Sequence, residues 1–168
     1  MELRIAGTIS ESVVDGPGYR FVVFTQGCKH FCPGCHNPHT WDPAGGTSVR
    51  VGELLEPIKN AKLLKGVTIT GGEPFLQPAP LALFASEVKK MGLNVITYSG
   101  YTWEKLLTMS RDKPDIEELL LVSDYLVDGP FVLAKKDLEL PFRGSSNQRI
   151  LDVTQSLQAG KPVSAYFS

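Results

Sequence analysis

Cys28, Cys32 and Cys35 are the only cysteines in the chain, and they fall within eight residues. Spaced as C-x3-C-x2-C and interrupted by Pro33 and Gly34, they cannot share one side of a strand or helix. The stretch from Gly27 to Asn37 therefore has to curl as a loop around something its thiols hold in common. Thiolates are soft ligands that select iron-sulfur clusters, zinc or copper(I). An electron-transfer cluster or a structural zinc site is normally closed by four protein ligands, and here there is no fourth cysteine. If the centre is a 4Fe-4S cluster, one iron keeps an open position where substrate chemistry can occur. The rival is a Cys3His zinc module with His30, His36 or His39 as fourth ligand, which the usual ligand spacings fit poorly. A disulfide would leave one cysteine odd, and a normal-sized core needs no staple.

The strands and helices around this loop alternate. Leu3 to Val14 is β-prone and ends in the turn Asp15-Gly-Pro-Gly18. The apolar run Phe21 to Phe24 predicts a strand buried on both faces of a parallel sheet, with the cysteine loop at its C-terminal end. Ligands of barrels and open α/β sheets bind at such ends. A helix with Val51, Leu54, Leu55 and Ile58 on one face follows, which Pro57 should kink or end early. The second unit is the strand Gly66 to Thr70, the turn Gly71-Gly72-Glu73-Pro74, and a helix presenting Leu81, Phe84, Ala85 and Val88, with Gly92 as a natural end. The third is the strand Leu93 to Tyr98, then Ser99-Gly100, with Thr102 as N-cap of a helix through Leu107. Asp115 and Glu118 read as a capping box for a helix over Ile116 to Val122. Tyr125 to Asp128 is a fourth inner strand, whose Asp128 faces either the cavity or the amides of its own turn. Residues 131–148 form a lid, a docking loop or a solvated connection. Arg149 to Val153 is a possible last strand, and from Thr154 onward the pattern is uninformative.

Such alternation means a parallel α/β fold. A closed eight-stranded barrel takes about 250 residues, so 168 residues can close only part of one. The expected architecture is a single domain over 1–168, an incomplete parallel β/α barrel open on one side. No solenoid period or low-complexity tract is present. With 17 basic and 18 acidic residues interspersed, the chain offers no basic field for nucleic acid. No run approaches the roughly 20 apolar residues of a membrane span, and Glu2 and Arg4 lead into no signal core. Clustered free thiols suit a reducing, cytoplasmic compartment.

C-x3-C-x2-C is the signature of the radical S-adenosylmethionine (radical SAM) enzymes. The flanking Thr25-Gln-Gly-Cys28 and Cys32-Pro-Gly-Cys-His-Asn-Pro38 resemble one branch, the activating proteins of the anaerobic ribonucleoside-triphosphate reductase. Tyr125-Leu-Val-Asp-Gly-Pro-Phe131 and Arg143-Gly-Ser-Ser-Asn-Gln-Arg149 are similar to that branch in particular, and the likeness spans about residues 11–153. It implies the partial barrel of the radical SAM type. It also implies a 4Fe-4S cluster on Cys28, Cys32 and Cys35, with S-adenosylmethionine held by its amino and carboxylate groups on the open iron. Gly71, Gly72 and Glu73 would meet the methionyl amino group, Ser99 and Gly100 the ribose or carboxylate end, and Gly34, Cys35 and His36 the adenine. Since Gly34 cannot stack, His36 or Phe31 would cover the base. The partners implied are the large, glycyl-radical subunit of the anaerobic ribonucleotide reductase and a low-potential donor such as a flavodoxin or ferredoxin. Arg143 to Arg149 is the expected docking segment. A radical SAM enzyme with a small-molecule substrate, of the 7-deazapurine synthase type, is the nearest alternative.

Overall fold

The computed structural model describes residues 1–165, so the last three residues of the domain expected over 1–168 lie outside the described residues. Strands β1 (Glu2–Ser12), β2 (Arg20–Thr25) and β3 (Thr47–Arg50) precede helix α1 (Val51–Lys59). β4 (Gly66–Gly71) leads into α2 (Pro78–Lys90), and β5 (Asn94–Tyr98) into α3 (Trp103–Ser110) and α4 (Pro114–Val122). β6 (Tyr125–Asp128) is followed after an irregular segment by β7 (Arg149–Asp152) and α5 (Val153–Ala159).

The seven strands form one sheet in the order β3-β1-β2-β4-β5-β6-β7, with β3 and β7 as unjoined edges. β2, β4, β5 and β6 are mutually parallel. This is the unclosed α/β architecture expected, with one correction: β1, β3 and β7 run antiparallel to their neighbours. The cause is connection length and content. A parallel return needs a crossover of a dozen or more residues, usually a helix. Only a turn joins β1 to β2, and no α-helix lies between β6 and β7. The segment 129–148 therefore stays at the C-terminal edge of the parallel strands, beside the cysteine loop.

Side chains alternate across the sheet. The rows Phe21, Val67 and Val95, and Val23, Ile69 and Leu126, pack with Leu54, Leu81, Phe84, Leu106 and Leu119 of the helices into one core. The connections between the parallel strands place their helices on this one face. On the other face Arg20, Thr68 and Tyr98 alternate with Val22 and Ile96. Arg20 is fully buried there, with no carboxylate paired to it among the described residues. Its Nε donates to Thr68 Oγ1 at 2.8 Å, Nη2 to Val67 O at 2.9 Å and Asn94 Oδ1 at 2.6 Å, and Nη1 to Pro17 O at 3.2 Å. The guanidinium thus pins the Asp15–Gly18 turn across the closed end of the sheet. Burial pulls its pKa down to about 10.

Two local details depart from the sequence rules. Pro57 sits inside α1 without ending it early, two residues before the helix stops. α4 begins on Pro114 with Lys113 at the N-cap and no side-chain cap, so Asp115 and Glu118 make no capping box. Proline at the first helical position already supplies the helical φ and has no N–H to satisfy. Thr102 does cap α3, its hydroxyl accepting from Lys105 N–H at 3.2 Å.

Candidate functional site

The three thiols, the Gly71–Glu73 turn and Ser99-Gly100 follow the C-terminal ends of β2, β4 and β5. Because these strands are parallel, their ends share one edge of the sheet. The neck of the cysteine loop is tied by backbone pairs: Gly27 N–H donates to Thr40 O at 2.6 Å and Cys28 N–H to Trp41 O at 3.1 Å. Gln26 adds side-chain donation to His39 O and Asp42 O at 3.0 and 2.8 Å. Between these ties the chain curls, with positive φ at Phe31 (48°) and Gly34 (76°). All three cysteines are free and partly exposed, and Cys35 Sγ accepts from Asn37 N–H at 3.4 Å. Burial pushes the Cys28 thiol above its ordinary pKa. The His30 backbone hydrogen bond opposes that shift, and the negative potential of Glu73 and the other two cysteines adds to it.

A cavity of about 130 Å³ opens between these loops, with Cys28, Cys32 and Cys35 on one side and Gly71, Gly72, Ser99 and Gly100 on the other. The structure thus brings together seven of the residues predicted from sequence. Gly34 and Glu73 do not line this cavity, and His36 lines an adjoining one of about 350 Å³ that shares Thr70, Tyr98, Phe131 and Gln148 with it.

Glu73 departs most from expectation. Its side chain is fully buried, and both carboxylate oxygens are occupied by the protein. Oε1 accepts from His30 Nε2 at 2.6 Å, Ser99 Oγ at 2.9 Å and Gly100 N–H at 2.8 Å, and Oε2 accepts from Phe75 N–H at 3.0 Å. Glu73 therefore clamps three loops together behind the cavity wall instead of presenting its carboxylate to a ligand. The glycines serve the same closeness. A Cβ at Gly72 would lie 2.3 Å from Gly27 O, and one at Gly100 would lie 2.5 Å from the His30 ring. Gly72 N–H and Glu73 N–H donate to Thr25 O and Gly27 O at 2.8 and 2.7 Å, stapling the second loop to the first.

The histidines bear on the zinc alternative. His30 is committed to Glu73, while His36 and His39 are exposed. Among the described residues no three His, Cys, Asp or Glu side chains converge as a single-ion site. Three soft thiol donors on one curled loop, facing a cavity whose one histidine, His30, is paired to Glu73, fit a cluster held at three corners. An orphaned polar atom supports the fit: Trp41, on the cavity wall, has its indole Nε1 buried without a partner.

Comparison with known proteins agrees with this geometry. A family model described as a 4Fe-4S single cluster domain matches residues 14–151. The anaerobic ribonucleoside-triphosphate reductase-activating protein of Pasteurella multocida is 32% identical over 152 residues, covering 85% of this chain and 93% of that one. The chain belongs to this family of activating proteins. Another member, from Escherichia coli, is 32% identical over 81% of this chain and 90% of its own length. The pyruvate formate-lyase 1-activating enzyme of Escherichia coli is 34% identical over 92% of this chain and 62% of that one. Among solved structures, QueE from Escherichia coli aligns with a TM-score of 0.49 at 21% identity, over 61% of this chain and 54% of that one.

Within this activating-protein site, five residues were not reached from sequence in their actual roles. His30 entered only as a zinc ligand, and Trp41 not at all. Phe131 reaches Gly34, where a Cβ would lie 3.3 Å from its ring, and packs edge-on against His36 with centroids 5.4 Å apart. Phe31, the aromatic expected over the base, is 58% exposed and turns its ring to Trp41. Asp128 faces neither the cavity nor its own turn. It is buried, accepting Trp103 N–H at the start of α3 and two guanidinium donors of Arg149, which also bridges Glu104. The glutamate and glycine signals in sequence marked the neighbourhood, but pairings more than twenty residues apart carry no local pattern.

Proposed function

We propose that the chain is a radical SAM activase that reductively cleaves S-adenosylmethionine and generates a glycyl radical on the anaerobic ribonucleoside-triphosphate reductase. The observation that carries this reading is the set of three free thiols sharing one cavity with the Gly71-Gly72 and Ser99-Gly100 loops, with His30, the histidine on the same wall, already paired to Glu73. Cys28, Cys32 and Cys35 would hold a 4Fe-4S cluster, which supplies the electron that breaks the sulfonium bond of the bound cofactor. The rest is binding, orientation and exclusion of water by the chain.

Backbone groups of Gly71 and Gly72, with Ser99 and Gly100, form the wall for the methionyl end, and Glu73 positions them from behind. Cys35 and His36 with Phe131, in place of Phe31, hold the adenine. The wall of the adjoining 350 Å³ cavity includes Arg143, Gly144 and Gln148, and this is where the reductase segment bearing the target glycine would enter. Arg143 Nη1 donates to Gln148 O at 2.9 Å, which holds its side chain against this wall. Arg149, tied to Asp128 and Glu104, braces this wall and takes no part in docking. A low-potential flavodoxin or ferredoxin supplies the electron, residues 1–168 act as one domain, and the work is cytoplasmic. No helix among the described residues is long and apolar enough to cross a membrane.

The test is anaerobic reconstitution with iron and sulfide, then cofactor cleavage with and without the reductase. A glycyl radical signal in electron paramagnetic resonance that needs chain, S-adenosylmethionine, reductant and reductase together is the expected result. Zinc at about one equivalent with no iron uptake would sink the proposal, as would productive cleavage that leaves no radical on the reductase.

A further inference from the structure

We propose that Trp41 is a positioning residue whose indole N–H donates a hydrogen bond to a sulfur of the metal centre held by Cys28, Cys32 and Cys35. The inference rests on the reading above that those thiols carry an iron-sulfur cluster. An indole nitrogen can only donate, and a donor sealed from water without an acceptor is unfavourable, so native folds rarely leave one. Trp41 Nε1 is such an atom, and Trp41 lines the same cavity as the three thiols.

The ring is held there by its backbone. Trp41 O accepts the N–H of Cys28 at 3.1 Å, and Trp41 N–H donates to Pro38 O at 3.2 Å, closing the short helical turn Pro38–Thr40. Trp41 is thereby fixed to the first cysteine of the loop. Phe31 packs edge-on against the indole with centroids 5.3 Å apart. None of the polar side chains on the wall bonds the indole: His30 and Ser99 are committed to Glu73, Tyr98 donates to Phe142 O and Gln148 to Gly129 O. The acceptor is therefore one that arrives with the contents of the cavity. In a site defined by three thiolates, that acceptor is cysteinyl sulfur or inorganic sulfide. Such a bond stabilises the more negative, reduced form of a cluster, and hydrogen bonds to sulfur are among the terms that set cluster potentials.

The experiment compares the full-length chain reconstituted with iron and sulfide against Trp41→Phe and against a variant carrying benzothienylalanine at position 41, which keeps the bicyclic shape but has no N–H. The readout is the midpoint potential of the bound cluster by spectroelectrochemistry, alongside iron and sulfide content. Both variants are expected to load normally and shift to more negative potential, by about tenfold in the reduction equilibrium, or 59 mV for a one-electron couple. An unchanged potential in the benzothienylalanine variant at equal iron content overturns the proposal and shows the indole satisfied by water or by nothing. Failure of both variants to hold iron where the parent does also overturns it, because Trp41 is then a structural strut. A parent that takes up zinc and no iron fails the preceding functional reading as well, and is recognised by metal content alone.

Discussion

Replacing Glu73 by alanine should destabilise the metal-free protein by about 3 kcal/mol, a figure set by which donors the change strands. Four groups donate to this carboxylate: the His30 ring, the Ser99 hydroxyl and the backbone N–H groups of Phe75 and Gly100. The hydroxyl can rotate toward another acceptor, and His30, whose side chain is 17% exposed, can reach water. The two backbone donors cannot move without moving β4 or β5, and each buried donor left unpaired costs roughly 1–3 kcal/mol. Their sum is about 2–6 kcal/mol, and water entering the vacated space brings it into the lower half of that span, to about 3 kcal/mol. For a domain of this size each kcal/mol lowers the melting temperature by about 2–4 °C, which gives a fall of about 6–12 °C. Circular dichroism melts of reduced, metal-free protein measure it. Glu73→Gln, which keeps one acceptor, should fall between the parent and Glu73→Ala, and His30→Ala should cost less than either. A Glu73→Ala melt within about 2 °C of the parent, or no lower than that of His30→Ala, would refute the view of this carboxylate as an internal clamp.

Gly72→Ala places a methyl 2.3 Å from Gly27 O, so it should break the staple between the two loops and cut iron retained after reconstitution severalfold while secondary structure persists in circular dichroism. Arg149→Met strips the buried Asp128 of its cation. The loss should be about 2 kcal/mol by urea denaturation, less than the 3–5 kcal/mol of a fully buried pair because Arg149 is 37% exposed. Cys28 predicts a pH dependence of the metal-free protein. Burial raises its folded pKa above the unfolded value, so the stability it contributes is complete below the unfolded pKa and is lost as pH rises through the folded one. The urea midpoint of the parent should fall more between neutral and alkaline pH than that of Cys28→Ala, and parallel slopes would contradict this.

The fold was legible where one local pattern had one physical outcome. The unbroken Phe21 to Phe24 run can be covered only by burial on both faces of a sheet, and three of its four residues are buried. The stripes Val51, Leu54, Leu55, Ile58 and Leu81, Phe84, Ala85, Val88 each lie on one helix face and all are buried. Where two local signals competed, the pattern misled. Asp115 and Glu118 have capping-box spacing, but Pro114 starts the helix by itself. Strand direction was similarly hidden, because β1 and β7 have ordinary strand composition and only their connections make them antiparallel.

By itself, the sequence determined that three soft ligands lie on one curled loop at a strand end, that no fourth cysteine completes them, and that glycine-bearing turns follow the next two strands. These facts depend on neighbours within a few residues, where sterics and ligand chemistry act directly. Only the tertiary structure decided that Glu73 is spent on His30, Ser99 and two backbone amides, that Asp128 anchors α3 and Arg149, that Phe131 stands over Gly34, and that the Trp41 indole is left without an acceptor. Each of these depends on which strand lies beside which and on loops meeting across the sheet's edge. A hydrogen bond between distant residues leaves no periodic trace in the chain that makes it.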